Sequence, residues 1–281
     1  AGFSSFREPI ADDKVRGKPE KFAEHYQQAA LFYNSQTAVE KAHILRGFRF
    51  ELTKVQTPAI RERVVATLAN VDAGLAKALA RELGIAVPKP LPKAVKSPPK
   101  PEVTASPSLS LMAHPGNGTI RTRRIAILVA DGVDGESAQA LHEGLTEQGA
   151  VPRFVGIRLG TVTTAAGDTL QAEVTLETMP SVLFDAVAVL GGKDAVVALG
   201  NVGHALEFIK DQYRHAKPIL ALGEGADLVE NAGASATLPS GQPDPGMIVA
   251  KHGRAREALP AFVKAIARHR HHEREADPPP V

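Results

Sequence analysis

Apolar residues along the first third of the chain recur at helical spacing. Phe22, Tyr26, Ala29 and Tyr33 fall at i, i+4, i+7 and i+11, one stripe of an amphipathic helix. Thr37-Ala-Val-Glu40 predicts the start of a second helix, because the hydroxyl can accept from the N3 amide while the glutamate reaches back to the cap. That helix carries Ile44, Phe48, Leu52 and Val55 on one face. Thr57-Pro58 supplies an N-cap and a proline at the first helical position, opening a third helix striped by Ile60, Val64, Leu68 and Val71. Asp72 caps a fourth, with Leu75, Leu79 and Leu83 inward and Gly84 as its stop. Residues 1–18 show no sustained period and are expected to be an extended lead-in to a helical domain over 19–85.

Residues 86–119 break the periodicity. Pro88, Pro90, Pro92, Pro98, Pro99, Pro101 and Pro107 are interleaved with Lys89, Lys93, Lys96 and Lys100, a composition expected to form an extended linker rather than a packed core. The same run could also dock a groove that reads polyproline helices.

From Arg124 short apolar runs alternate with helical patterns. Strands are expected at Ile125 to Val129, Val151 to Ile157, Ala186 to Leu190, Ile219 to Leu222 and Met247 to Ala250. Helices are expected at Glu136 to Gln148, His204 to His215, Ala226 to Asn231 and Arg254 to about His271. Thr161 to Thr178 alternates around Ala166-Gly167-Asp168 and reads as a small antiparallel excursion. The alternation predicts an α/β fold, a doubly wound parallel sheet over 120–271, preceded by the small all-α helical domain. Residues 272–281 read as a tail, its final Asp-Pro-Pro-Pro-Val expected to be disordered or loosely docked.

Composition narrows the function. In 281 residues the aromatic content is 5%, tryptophan is absent and the net charge is +2, which leaves little for nucleic-acid recognition. The absence of cysteine excludes disulfides, thiolate metal sites and thiol nucleophiles, and fits a reducing, cytoplasmic setting. No apolar run approaches the roughly 20 residues of a membrane span, so no membrane partner is expected.

The candidate chemistry gathers at three strand ends. Lys217-Pro-Ile-Leu-Ala-Leu-Gly-Glu-Gly225 is a buried strand entering a helix through a glycine-flanked turn, an arrangement that normally presents one side chain above the sheet. Here that position is Gly223, which has none. Leu128-Val-Ala-Asp-Gly-Val-Asp-Gly-Glu136 and Asp185-Ala-Val-Ala-Val-Leu-Gly-Gly192 end the other two strands. Asp134 and Glu224 form a possible carboxylate pair, since like charges at close range push one pKa up; capping and solvated-turn roles are the plainer alternatives. Gly223-Glu-Gly225 is too short for a dinucleotide fingerprint, and Asp131 to Glu136 lacks the spacing of a calcium loop. His269 and His272, at i and i+3, could graze a metal; a solvated helix end is the plainer reading, and no metal site is expected.

These three segments resemble the glutamine-amidotransferase-like superfamily of flavodoxin-like fold. The resemblance places an orienting acid on Asp134, an oxyanion-hole glycine pair on Gly191 and Gly192, the nucleophile on Gly223 and the residue after it, often histidine, on Glu224. It therefore implies a degenerate elbow with neither thiol nor histidine base. Phe32-Tyr-Asn-Ser-Gln-Thr-Ala-Val-Glu-Lys-Ala-His-Ile44, Gly47-Phe-Arg-Phe-Glu-Leu-Thr-Lys-Val55 and Ile60-Arg-Glu-Arg-Val-Val65 resemble the helical domain of haem catalases. Ser106-Pro-Ser-Leu-Ser-Leu111 resembles the segment that leads to the extra domain of large-subunit catalases.

Together the resemblances identify the chain as a C-terminal part of a large-subunit catalase without the haem β-barrel. They imply a parent enzyme that converts hydrogen peroxide to water and oxygen, with haem in the parent and no cofactor in this chain. The family's proximal tyrosine follows an arginine by four residues, whereas Tyr26, Tyr33 and Tyr213 follow Phe22, Ala29 and Ile209. No catalytic residue is therefore assigned. The implied partners are the catalase barrel and the neighbouring subunits of a homotetramer. Apolar positions such as Phe48, Phe50 and Leu52 are expected to be exposed without the barrel, which adds unfolded client proteins as possible partners. Two further readings stay open: a chaperone-like binding module, and a residual small-molecule hydrolase using Asp134 and Glu224.

Overall fold

The structure, a computed structural model, describes residues 2, 4–5, 7–17 and 20–281, which fall into two units, 1–114 and 115–281. The lead-in expected over residues 1–18 lies partly outside the described residues.

Among the described residues of the first unit, four α-helices form. Helix α1 is Tyr26–Asn34, α2 Ala38–Lys54, α3 Pro58–Leu68 and α4 Ala73–Glu82. The stripe expected from Phe22 is cut short, because Glu20–Ala23 is a separate 3-10 turn and α1 buries none of its residues. Phe22 is exposed. Helix α2 starts on the expected reciprocal cap: Thr37 Oγ1 accepts from Glu40 N and Glu40 Oε2 accepts from Thr37 N. Thr57 takes the N-cap position of α3 without a side-chain hydrogen bond, whereas Asp72 accepts the Leu75 amide at 2.7 Å. The shared core is small, built from Leu52, Val65, Ala76, Leu79 and Ala80 with Phe48, Val55, Val64 and Leu68 against it. Of the three positions expected to be exposed, Leu52 is buried and Phe48 packs on this core. Only Phe50 is bare, at 63% exposure.

The proline-rich stretch after Gly84 is irregular but tied to these helices. Leu91 N donates to Ala66 O, Asn70 Nδ2 to Leu91 O, and Ser106 N to Ser35 Oγ. Its main anchor is Glu40. The carboxylate that closes the α2 cap also accepts from Ser110 Oγ and Leu111 N, each at 2.8 Å. Burial alone would raise the Glu40 carboxyl; the hydrogen bonds from Thr37, Ser110 and Leu111 override it and hold the pKa down to about 2.

The second unit is a six-stranded parallel sheet with a flavodoxin-like strand order. Its strands are β1 Arg124–Val129, β2 Val151–Gly156, β5 Val174–Thr175, β6 Ala186–Val189, β7 Ile219–Leu222 and β8 Met247–Ala250. They lie in the order β5-β2-β1-β6-β7-β8. Strands β6 and β7 are buried along their whole length, as the unbroken runs AVAV and ILAL require of strands covered on both faces. Helices α5 (Gly135–Glu147) and α9 (Ala255–Arg268) pack on each other. Helices α6 (Lys193–Gly200), α7 (Gly203–Arg214) and α8 (Gly225–Asn231) form a second group. The excursion is an antiparallel hairpin of β3 (Gly160–Thr163) and β4 (Thr169–Ala172), followed by β5, which joins the main sheet beside β2. Helix α6 was not expected: in Lys-Asp-Ala-Val-Val-Ala-Leu-Gly the apolar residues run together instead of spacing out.

The C-terminus departs from expectation. Helix α9 stops at Arg268, where His269 takes a φ of +69°, and the chain then turns inward to α10, Glu273–Ala276. His271 is buried, not solvated, with its amide on Ala216 O at 2.8 Å. Burial, and next the charge of Arg274, hold the His271 imidazole down to about 4. Arg274 is buried as well. Its Nε meets Asp244 Oδ2 at 2.5 Å, Nη1 donates to Lys217 O at 2.7 Å, and the guanidinium stands over the Tyr213 ring. These bonds bind α10, where a solvated, fraying helix end was expected, into the core.

Candidate functional site

Parallel strands deliver their following loops to one edge of the sheet, and there the candidate residues converge. Asp134 ends the β1 loop as the N-cap of α5, accepting from Ser137 N at 3.1 Å and Ser137 Oγ at 2.6 Å; its own amide donates to Gly191 O at 3.0 Å. Gly191 and Gly192 connect β6 to α6. Gly223 connects β7 to α8 with its amide on Ala250 O at 2.9 Å, and Glu224 follows as the N-cap of α8.

Glu224 folds back over the glycine pair. Its Oε2 accepts the Gly192 amide at 3.2 Å. Hydrogen bonds from its own amide and from Gly192 hold its carboxyl below the usual range; His252 and Lys193 add to this, and burial opposes it.

Sequence reasoning found no histidine at this elbow, because it looked at the position after Gly223. The structure supplies one from another loop. His252, two residues past β8, places Nδ1 3.6 Å from Asp134 Oδ2 and 3.7 Å from Glu224 Oε2. The signal was present: a histidine just past the end of an apolar parallel strand falls at the sheet edge where ligands are held. The cluster is graded in exposure, His252 at 60%, Glu224 at 33% and Asp134 at 9% of their side-chain surface, so the imidazole faces solvent above a buried acid.

An imidazole between two carboxylates can hold and pass a proton. The elbow position, Gly223, offers it no side chain. Gly223 sits at φ +53°. A Cβ built there would stand 3.0 Å from the His252 Cβ and 3.2 Å from its Cα. Ser137, the hydroxyl nearest Asp134, is buried and commits its proton to that carboxylate.

The other candidates disperse. His269 Nδ1 turns to Asp185 at 3.7 Å while His272 Nδ1 turns to Glu275 at 3.4 Å, so the i, i+3 pair does not meet on one ligand. Asp131 accepts from Thr163 N at 2.8 Å and faces Arg158. No helix among the described residues is long and apolar enough to cross a membrane.

Comparison with known proteins finds a match in each half. Residues 121–276 match the family described as the C-terminal domain found in long catalases, and residues 19–83 match the family described as catalase-related immune-responsive. The chain is 38% identical to Catalase HPII of Pseudomonas putida over 98% of its own length and 37% of that protein. It is 37% identical to Catalase HPII of Mycobacterium avium over 99% of its own length and 40% of that protein. With Catalase-1 of Neurospora crassa the identity is 33%, over 98% of this chain and 39% of that one. The chain thus spans about two fifths of the length of these relatives or slightly less.

Proposed function

The chain belongs to the family of C-terminal domains found in long catalases, and from that premise we propose that it is the structural, stabilising C-terminal portion of a large-subunit catalase. The parent enzyme would convert hydrogen peroxide to water and oxygen, and this portion would hold the remaining barrel and its neighbouring subunits in a homotetramer in the cytoplasm. The observation that carries the reading is the order of the two matched families along one chain, 19–83 and then 121–276, inside relatives that are all catalases.

Haem belongs, on this reading, to the parent alone. The three tyrosines do not fit an iron ligand. Tyr213 is wholly buried with its ring beneath Arg274. Tyr26 and Tyr33 lie on α1, which buries nothing, with Lys93 and Lys41 over their rings. Incubation of the purified chain with haem should give no Soret band and no oxygen release from peroxide. A stoichiometric Soret band would defeat the assignment.

One observation favours a second, chaperone-like reading: Phe22, Phe50 and Leu111 present large apolar side chains to solvent in the first unit. A client-binding surface of this kind should suppress light scattering of a heat-stressed protein, and Phe50→Glu should weaken that suppression. Equal suppression by both proteins would place the client elsewhere. The residual-hydrolase reading has no comparable support, because Gly223 at the elbow offers no side chain.

A further inference from the structure

Two empty positions of the elbow are filled from within the chain. A strand–turn–helix elbow presents a side chain above the sheet beside backbone amides free to meet negative charge. Here the space above Gly223 holds the backbone and Cβ of His252. The Gly192 amide is met by the Glu224 carboxylate. Gly191 makes both placements possible: a Cβ on it would lie 2.8 Å from Glu224 Oε2 and 2.9 Å from His252 Nδ1, so the carboxylate and the imidazole rest against its bare Cα. The acid is thus enclosed on three sides by a donated amide, an imidazole nitrogen and a glycine face, while a third of it remains open to water.

We propose that this crevice is a binding site for a small carboxylate, occupied in the resting protein by the side chain of Glu224. Its ligand is tethered, and the tether joins the loops after β6, β7 and β8. The chemistry selects a planar monoanion of acetate or formate size. One oxygen takes the Gly192 amide and the imidazole lies beside it. Asp134, buried behind the imidazole, stands with Oδ2 3.6 Å from His252 Nδ1 on the side away from solvent.

Removing the tethered ligand tests this directly. Glu224→Ala should lower the melting temperature, and titration with acetate or formate should restore it along a saturating curve, as expected for a ligand that binds only the folded state. Chloride at matched ionic strength should not. The wild-type protein should respond to neither, because its site is full. In the double variant Glu224→Ala, Gly191→Ala the acetate response should vanish, since the added methyl takes the ligand's place. Two results would overturn the proposal: acetate stabilising wild type and Glu224→Ala equally, or failing to stabilise the folded variant at all. Should Glu224→Ala not fold, the Gly192 amide proton of the wild type provides the readout. It should sit downfield at neutral pH and move upfield as the carboxylate is protonated; a Gly192 resonance insensitive to that titration would likewise refute the site.

Discussion

The helical unit and the α/β unit each depend on a carboxylate that reaches across the chain, but they use it against different backgrounds. In the helical unit the core is a handful of residues around Leu52, Val65 and Leu79, and α1 buries nothing. Glu40 there serves two segments at once, closing the α2 cap and holding Ser110 and Leu111, and it is itself buried. In the α/β unit the strands already bury β6 and β7 completely. Glu224 adds loop fastening at the Gly192 amide to a unit whose strands are already buried. Where the apolar core is thin, a charged hydrogen-bond hub carries a larger share of the order, because little burial is available to replace it.

The contrast can be broken by experiments graded by expected effect. The largest should come from the α/β unit's own buried pair. Arg274→Ala leaves Asp244 charged and fully enclosed, and one-sided removal of a buried partner costs about 3–5 kcal/mol. Hydrogen exchange should show the loss in β7, β8 and α7 while the amides of α2 to α4 keep their protection. A uniform loss across both units would mean that they unfold as one.

Next comes Glu40→Gln, expected to cost about 1–3 kcal/mol, because donors at Thr37, Ser110 and Leu111 lose their charged acceptor. The pH dependence has a definite sign. A carboxyl whose folded pKa lies below its ordinary 4.5 contributes stability that is fully present above 4.5 and is lost as pH falls toward about 2. The gap between wild type and Glu40→Gln in urea unfolding should therefore be widest near neutral pH and close across that window. A gap that is constant with pH would assign the effect to shape and not to charge.

The smallest effect is expected at the elbow. Gly223→Cys places a side chain at φ +53°, a left-handed backbone position that costs roughly 1–2 kcal/mol for a residue with Cβ. The thiol would also press on His252. Thermal unfolding should register that modest loss, and assays with small esters should show no turnover. Esterase activity in this variant would mean that His252 can step aside and that the site retains more chemistry than its geometry suggests.

Much of this was legible in one dimension. Ile219–Leu222 is a strand with the limits its apolar run implies, since a strand buried on both faces needs an unbroken run and ends where it ends; Met247–Ala250 has its expected limits too, though as an edge strand it leaves Val249 exposed. The caps at Thr37-Glu40 and Asp72 were equally readable, because capping joins residues three apart. Helix α6 was missed because its buried stripe, Ala195 and Leu199, is masked by equally apolar neighbours outside it, among them the exposed Val197.

The helical region and the parallel sheet that follows it were readable from the order and spacing of residues alone. Only the fold brought His252 to Asp134 and Glu224, Ser110 to Glu40, and Arg274 to Asp244. These partners stand 28 to 118 positions apart in sequence. Local propensity acts over a helical turn or a strand, whereas charge pairing and steric fit act through space, so the functional edge of the sheet took shape only once its loops met.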